Sequence, residues 1–339
     1  MRMWRYAAPL MALALVTAAC GSDDDTASED TATEEETTED DGAEDDSSGE
    51  EGGGEALSGS IAIDGSSTVG PLTDAIAEEY NAVQPDVIVN LSISGSGGGF
   101  ERFCGVGDTQ ISNASRPIKD EEAELCAENG IEFTEVRVGT DALTMVTSPG
   151  AEFPACLTTE EVVALWGPDG ATTWDQVNPD FPAEPVTIFA PGADSGTYDF
   201  FNETVLEPSE IEEPRQDFNA SEDDNIIAQG VAGTPNSFGY FGFAYYTNNT
   251  DTVQAIAFDA GEGCVEPSAE TAQDDSYKLA RPLFIYLKNE SLSDPAVADF
   301  ATFYLDTVND VIEGVGYIPA SDAELEEARS AVDAAIAGS

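Results

Sequence analysis

Four times along this chain a short apolar strand pattern runs into a turn of small polar residues. Ile61 and Ile63 lead into Asp64-Gly65-Ser66-Ser67-Thr68-Val69, and Val87, Val89, Leu91 and Ile93 lead into Ser94-Gly95-Ser96-Gly97-Gly98-Gly99. Ile111 leads into Ser112-Asn113-Ala114-Ser115-Arg116-Pro117, and Val186, Ile188 and Phe189 into Pro191 to Thr197. Helical spacing follows the first and last turns, in Leu72, Ile76 and Tyr80 and in Tyr198, Phe201 and Val205. Alternation at period two followed by recurrence at three to four residues specifies a strand and then a helix. Strands alternating with helices build α/β layers around a parallel sheet, and ligands collect at the carboxyl ends of such strands.

A strand that turns directly into a helix leaves the first-turn N–H groups unpaired and pointing one way, a geometry suited to phosphate, sulfate or carboxylate. Taken singly, each turn has a plainer reading: Asp194 or Ser195 is an ordinary helix cap. The glycines at 97 to 99 let backbone approach a ligand closely, but no Gly-Lys-Ser/Thr follows, so this is not a nucleotide phosphate loop. Arg116 is the one cation set among these turns. Its planar fork suits an oxyanion, and its plainer role is a surface ion pair. Four such turns in one chain point to one shared anion site.

Composition removes competing chemistries. Histidine is absent, which excludes Ser-His-Asp and Cys-His nucleophiles and the usual zinc ligand. The net charge is −57, with only 11 Lys and Arg, and these are scattered. Nucleic acid and anionic membrane surfaces are therefore poor partners. No metal or cofactor motif is present.

The chain is long enough for two domains. Arg2 and Arg5, the apolar run Ala7 to Val16 and the small residues before Cys20 read as a secretory signal over residues 1–19. Residues 20–57 are rich in Asp, Glu, Thr, Ser and Gly, a composition that cannot bury a core and extends by self-repulsion into a tether. Apart from Cys20, four cysteines remain, Cys104, Cys126, Cys156 and Cys264, an even number in an exported protein, with three pairings open.

Further on, Glu135 to Val146 reads as a strand, and Leu157 to Trp166 as a helix with Thr158 as cap and Glu161 three residues on. Phe238 to Tyr246 reads as a buried aromatic strand or turn, Arg281 to Leu287 as a strand, and the stretches near 294–305 and 322–337 as helices.

In this order and spacing, the motifs Gly65-Ser66-Ser67-Thr68-Val69, Gly95-Ser96-Gly97-Gly98-Gly99-Phe100, Ala114-Ser115-Arg116-Pro117-Ile118, Leu157-Thr158-Thr159-Glu160-Glu161, Asp194-Ser195-Gly196-Thr197 and Arg281-Pro282-Leu283 resemble the substrate-binding lipoproteins of the Pst-type phosphate ABC transporter. The likeness runs from about residue 58 to the C-terminus.

The resemblance implies a two-lobed periplasmic-binding-protein fold of type II, each lobe an α/β sandwich, with the ligand in the interlobe cleft. One lobe would comprise 58–144 and 285–339, the other 145–284. Cys104 with Cys126 and Cys156 with Cys264 would keep each disulfide within one lobe. It implies a monomer that binds inorganic phosphate with high affinity outside the cytoplasmic membrane and delivers it to ABC permease subunits, with no catalysis. The end of the signal resembles a bacterial lipobox, which would make Cys20 the lipidated N-terminus and membrane anchor, although Thr17 stands where Leu is usual.

Carried over residue by residue, Ser67, Thr68, Ser96, Gly97, Gly98, Ser195, Gly196 and Thr197 would be the phosphate donors. Two departures stand out: Ser-Arg occupies the third turn where many members have an Asp that accepts the phosphate proton, and Pro191 stands where many have an Arg. Arg116 would then supply the charge, and Asp194 the proton acceptor, with Asp64 and Asp141 behind it. The rival readings are a site for another tetrahedral oxyanion such as sulfate, and a secreted phosphoester hydrolase.

Overall fold

The computed structural model describes residues 56–193, 195–211 and 213–339. The signal, Cys20 and nearly all of the tether lie outside the described residues, as does Asp194. In chain order the strands are β1 (Gly59–Gly65), β2 (Val87–Ile93), β3 (Ile111–Ala114), β4 (Phe133–Thr147), β5 (Cys156–Thr158), β6 (Ile188–Ala190), β7 (Asn219–Ala220), β8 (Phe238–Gly242), β9 (Gln254–Asp259), β10 (Ala280–Lys288) and β11 (Ile318–Pro319).

β1 pairs in parallel with β2 and β3, and β6 in parallel with β7 and β8. Between these parallel sets run β4 and β10, antiparallel to one another along Phe133 to Ala142. At Leu143 the long strand β4 changes partners, pairing onward with β8 and β9. The architecture is two-lobed α/β, with β4 and β10 as the strands that cross.

Two large apolar cores follow from this. One joins Ile61, Ile63, Leu72, Ile76 and Tyr80 to Phe300, Tyr304 and Val308, so the two ends of the described chain pack together. The helix Gly70–Val83 presents Leu72, Ile76 and Tyr80 to it on one face, and Pro71 sits in the first turn, where its missing N–H is harmless. The other core gathers Trp166, Trp174, Phe201, Phe238, Tyr240 and Tyr277, with the Phe201 and Tyr240 rings stacked at 4.4 Å. The aromatic run 238–246 is thus core, divided between β8 and a short helix, Phe243–Thr247.

Three elements differ from the sequence-based expectation. The glycine run is no open turn but the helix Gly95–Phe100, because tertiary closeness overrides propensity: a Cβ on Gly99 would lie 2.6 Å from the Gly65 Cα. Leu157 belongs to β5, since Thr158 caps a helix that begins at Thr159. The helix expected near 294–305 continues to Val315, carrying Val308 and Ile312 into the core, and ends at Gly316 in the left-handed region (φ 106°). The disulfides are Cys104–Cys126 and Cys156–Cys264.

Candidate anion site in the cleft

The β1 turn, the start of the helix Gly95–Phe100, the β3 turn and the start of the helix Gly196–Phe201 meet around one cavity of about 630 Å³. From the first turn, Ser66, Ser67 and Thr68 form its wall; from the second, Gly95, Ser96 and Gly97; from the third, Ser115 and Arg116. Gly196 reaches the wall from the far side. Of the expected donors off this wall, Gly98 follows Gly97 in the same helix start, with the Ser94 side chain beside it, and Ser195 and Thr197 flank Gly196.

Each turn is held by its own hydroxyl. Ser66 Oγ accepts from the N–H of Thr68 at 3.2 Å and of Val69 at 3.4 Å. Ser96 Oγ accepts from Ser115 N–H at 3.1 Å, which joins the second turn to the third. Ser195 Oγ accepts from Thr197 N–H at 3.2 Å, so the cap role is real. The Tyr317 hydroxyl donates to Thr68 O at 2.8 Å and steadies the first turn from the C-terminal side.

Arg116 faces the cavity with both terminal nitrogens on Glu122, at 2.8 and 2.7 Å, and lies 5.5 Å from the Phe100 ring centre. Glu122 also accepts Lys119 N–H at 2.9 Å. Burial pushes the Glu122 carboxyl up, but Arg116, the Lys119 N–H and the nearby positive charge together hold it below its ordinary value.

Of the other acceptors considered, Asp64 is committed to the turns: Oδ1 takes Gly65 N–H and Ser94 Oγ, and Oδ2 takes Arg102 Nη1. Asp141 takes Arg281 Nε at 3.0 Å, and burial raises its pKa against the pull of that guanidinium. Sequence reasoning missed two cations on the wall, Lys119 and Arg281. It also missed the acidic face of Asp199, Glu203 and Glu207 on the opposite side, recurring every four residues. Arg281 stood out in the Arg281-Pro282-Leu283 motif at the head of an apolar strand, but not as a wall residue, because its neighbour Asp141 comes from distant sequence.

A PBP superfamily domain model matches residues 30–307. The protein SphX of Synechocystis is 42% identical over 267 residues, covering 77% of this chain and 79% of SphX. The phosphate-binding protein PstS of Staphylococcus saprophyticus is 36% identical over 277 residues, 81% of this chain and 85% of its own. The crystal structure of a possible phosphate binding protein from Planctomyces limnophilus superposes with a TM-score of 0.78 at 36% identity, covering 83% of this chain and 99% of that one. On these matches, and on the shared two-lobed fold, the chain belongs to the PstS and SphX family of the PBP superfamily.

Proposed function

We propose that this protein binds inorganic phosphate in the cleft, outside the cytoplasmic membrane, and delivers it to an ABC permease. The observation that carries this reading is the convergence of three Ser/Thr/Gly helix starts and Arg116 on one cavity. Helix starts offer oriented N–H groups and a positive dipole end to an anion.

In this account Ser67 and Thr68, Ser96 with Gly97 and Gly98, and Ser195, Gly196 and Thr197 donate to the phosphate oxygens. Arg116 leaves Glu122 to meet the ligand, and Asp194 accepts its proton. The lobes, 58–144 with 285–339 and 145–284, close by bending at the crossing strands, whose residues serve both cores: Leu143 packs in the second and Leu283 in the first. Lipid on Cys20 and the acidic stretch that follows would hold a monomer near the permease. Among the described residues no helix is long and apolar enough to cross a membrane.

Calorimetric titration tests the reading. Phosphate binds the wild type, sulfate in excess does not compete, and Arg116→Ala weakens binding about tenfold to a hundredfold, the worth of one charge-assisted contact. Equal competition by sulfate would make the site one for tetrahedral oxyanions in general.

A further inference from the structure

Arg281 differs from every other described arginine. Arg102, Arg116, Arg137, Arg215 and Arg329 each place at least one terminal nitrogen in a hydrogen bond to a protein oxygen. Arg281 bonds through Nε alone, to Asp141 Oδ2. Among the described residues, Nη1 and Nη2 make no hydrogen bond, and Glu203 Oε2 stands 3.5 Å from Nη1 in a loose ion pair. Yet this side chain is only 12% exposed and lies on the cavity wall. With Nε taken by Asp141, the terminal nitrogens remain available to an oxyanion in the cavity that Arg281 lines.

Its plane is fixed from two sides. Asp141 faces it across the β4–β10 ladder, and the Phe200 ring lies 4.0 Å from Cζ. A guanidinium held at Nε and on its flat face keeps its two-pronged end for a planar pair of oxygens.

We propose that Arg281 is the second cation of the anion site, taking two oxygens of the ligand through Nη1 and Nη2, with Asp141 and Phe200 as its positioning residues. The inference rests on the reading of the cleft as a phosphate site. It places a ligand contact on a crossing strand, so that bound phosphate meets the hinge side of the cleft as well as the Ser67 and Arg116 wall.

Titration of the full mature chain with inorganic phosphate, beside thermal melts without phosphate, tests it in four proteins: wild type, Arg281→Lys, Asp141→Asn and Arg281→Gln with Asp141→Asn. The double variant leaves no buried carboxylate unpaired. The expected result is a cooperative melt and a loss of at least about a hundredfold in affinity, two charge-assisted bonds' worth. Arg281→Lys, which keeps the charge and loses the fork, is expected to bind about tenfold more weakly, and Asp141→Asn to fall between it and the wild type. A double variant that melts cooperatively and binds within twofold of wild type overturns the inference and leaves Arg281 a tie between strand and helix. Should the double variant fail to fold, Arg281→Lys decides: unchanged affinity overturns the proposal. A wild type silent toward phosphate removes the ligand reading and this inference with it, whereas a binding wild type beside an unaffected variant removes this inference alone.

Discussion

Glu122 performs two tasks with one carboxylate, closing the start of the helix Asp120–Glu128 through Lys119 N–H and filling the fork of Arg116. Its folded pKa lies below the ordinary 4.5, so its stabilising effect is complete above that pH and fades as pH falls through the folded value. Glu122→Gln is therefore expected to lower stability to urea at neutral pH, with the gap to wild type narrowing as pH falls below 4.5 and through the lower folded value; a gap of equal size at both ends would show that the charge is irrelevant. Gly99 makes a sharper demand. Its Cβ would meet backbone at Gly65, which cannot rotate away, so Gly99→Ala should cost about 1–3 kcal/mol in chemical unfolding and weaken phosphate binding by parting the first two turns. Both residues show where the sequence stops being readable. The spacing of Ser67, Ser96 and Arg116 was enough to group them, because each ends a strand of one sheet. The plainer role of Arg116, an ion pair with a nearby acid, was legible and is met by Glu122, whereas nothing local marks Asp141 as the partner of Arg281.

At the scale of elements, caps were the most legible feature. Thr158 accepts Glu161 N–H at 3.2 Å, and Glu161 returns the bond to Thr158 N–H at 2.8 Å, as the four-residue pattern predicts. Thr158→Ala is expected to cost about 1 kcal/mol without changing ligand affinity. The helix at Gly95–Phe100 was not legible, since its four glycines oppose helix propensity, and the close approach of Gly98 to Ser94 and of Gly99 to Gly65 depends on tertiary structure. The disulfides differ in span. Cys156–Cys264 closes 108 residues and Cys104–Cys126 closes 22. In the loop-entropy account, longer closures restrict the unfolded chain more. Replacing the Cys156–Cys264 pair by serine should lower stability by about 4–5 kcal/mol, and replacing the other pair by about 3 kcal/mol, compared by denaturant melts.

At the scale of the whole molecule, the proposed anion receptor carries a net charge of −57. Distant carboxylates are screened beyond about 8 Å at physiological salt, whereas donors in the cleft touch the ligand, so the charge slows capture without preventing it. The association rate for phosphate, followed by stopped flow, should accordingly rise as salt is added from low ionic strength, the reverse of a steered encounter. The alternation of strand and helix made the α/β class evident, and the order of motifs made the family evident. The change of partners at Leu143, on which the two lobes turn, depends on pairings between residues about a hundred positions apart in sequence and left no local mark. The most direct measurement is a calorimetric titration of the purified protein with inorganic phosphate, repeated with Arg116→Ala. The account predicts saturable binding at one site, weakened at least tenfold in the variant. No heat from the wild type, or equal affinity in both proteins, would contradict it.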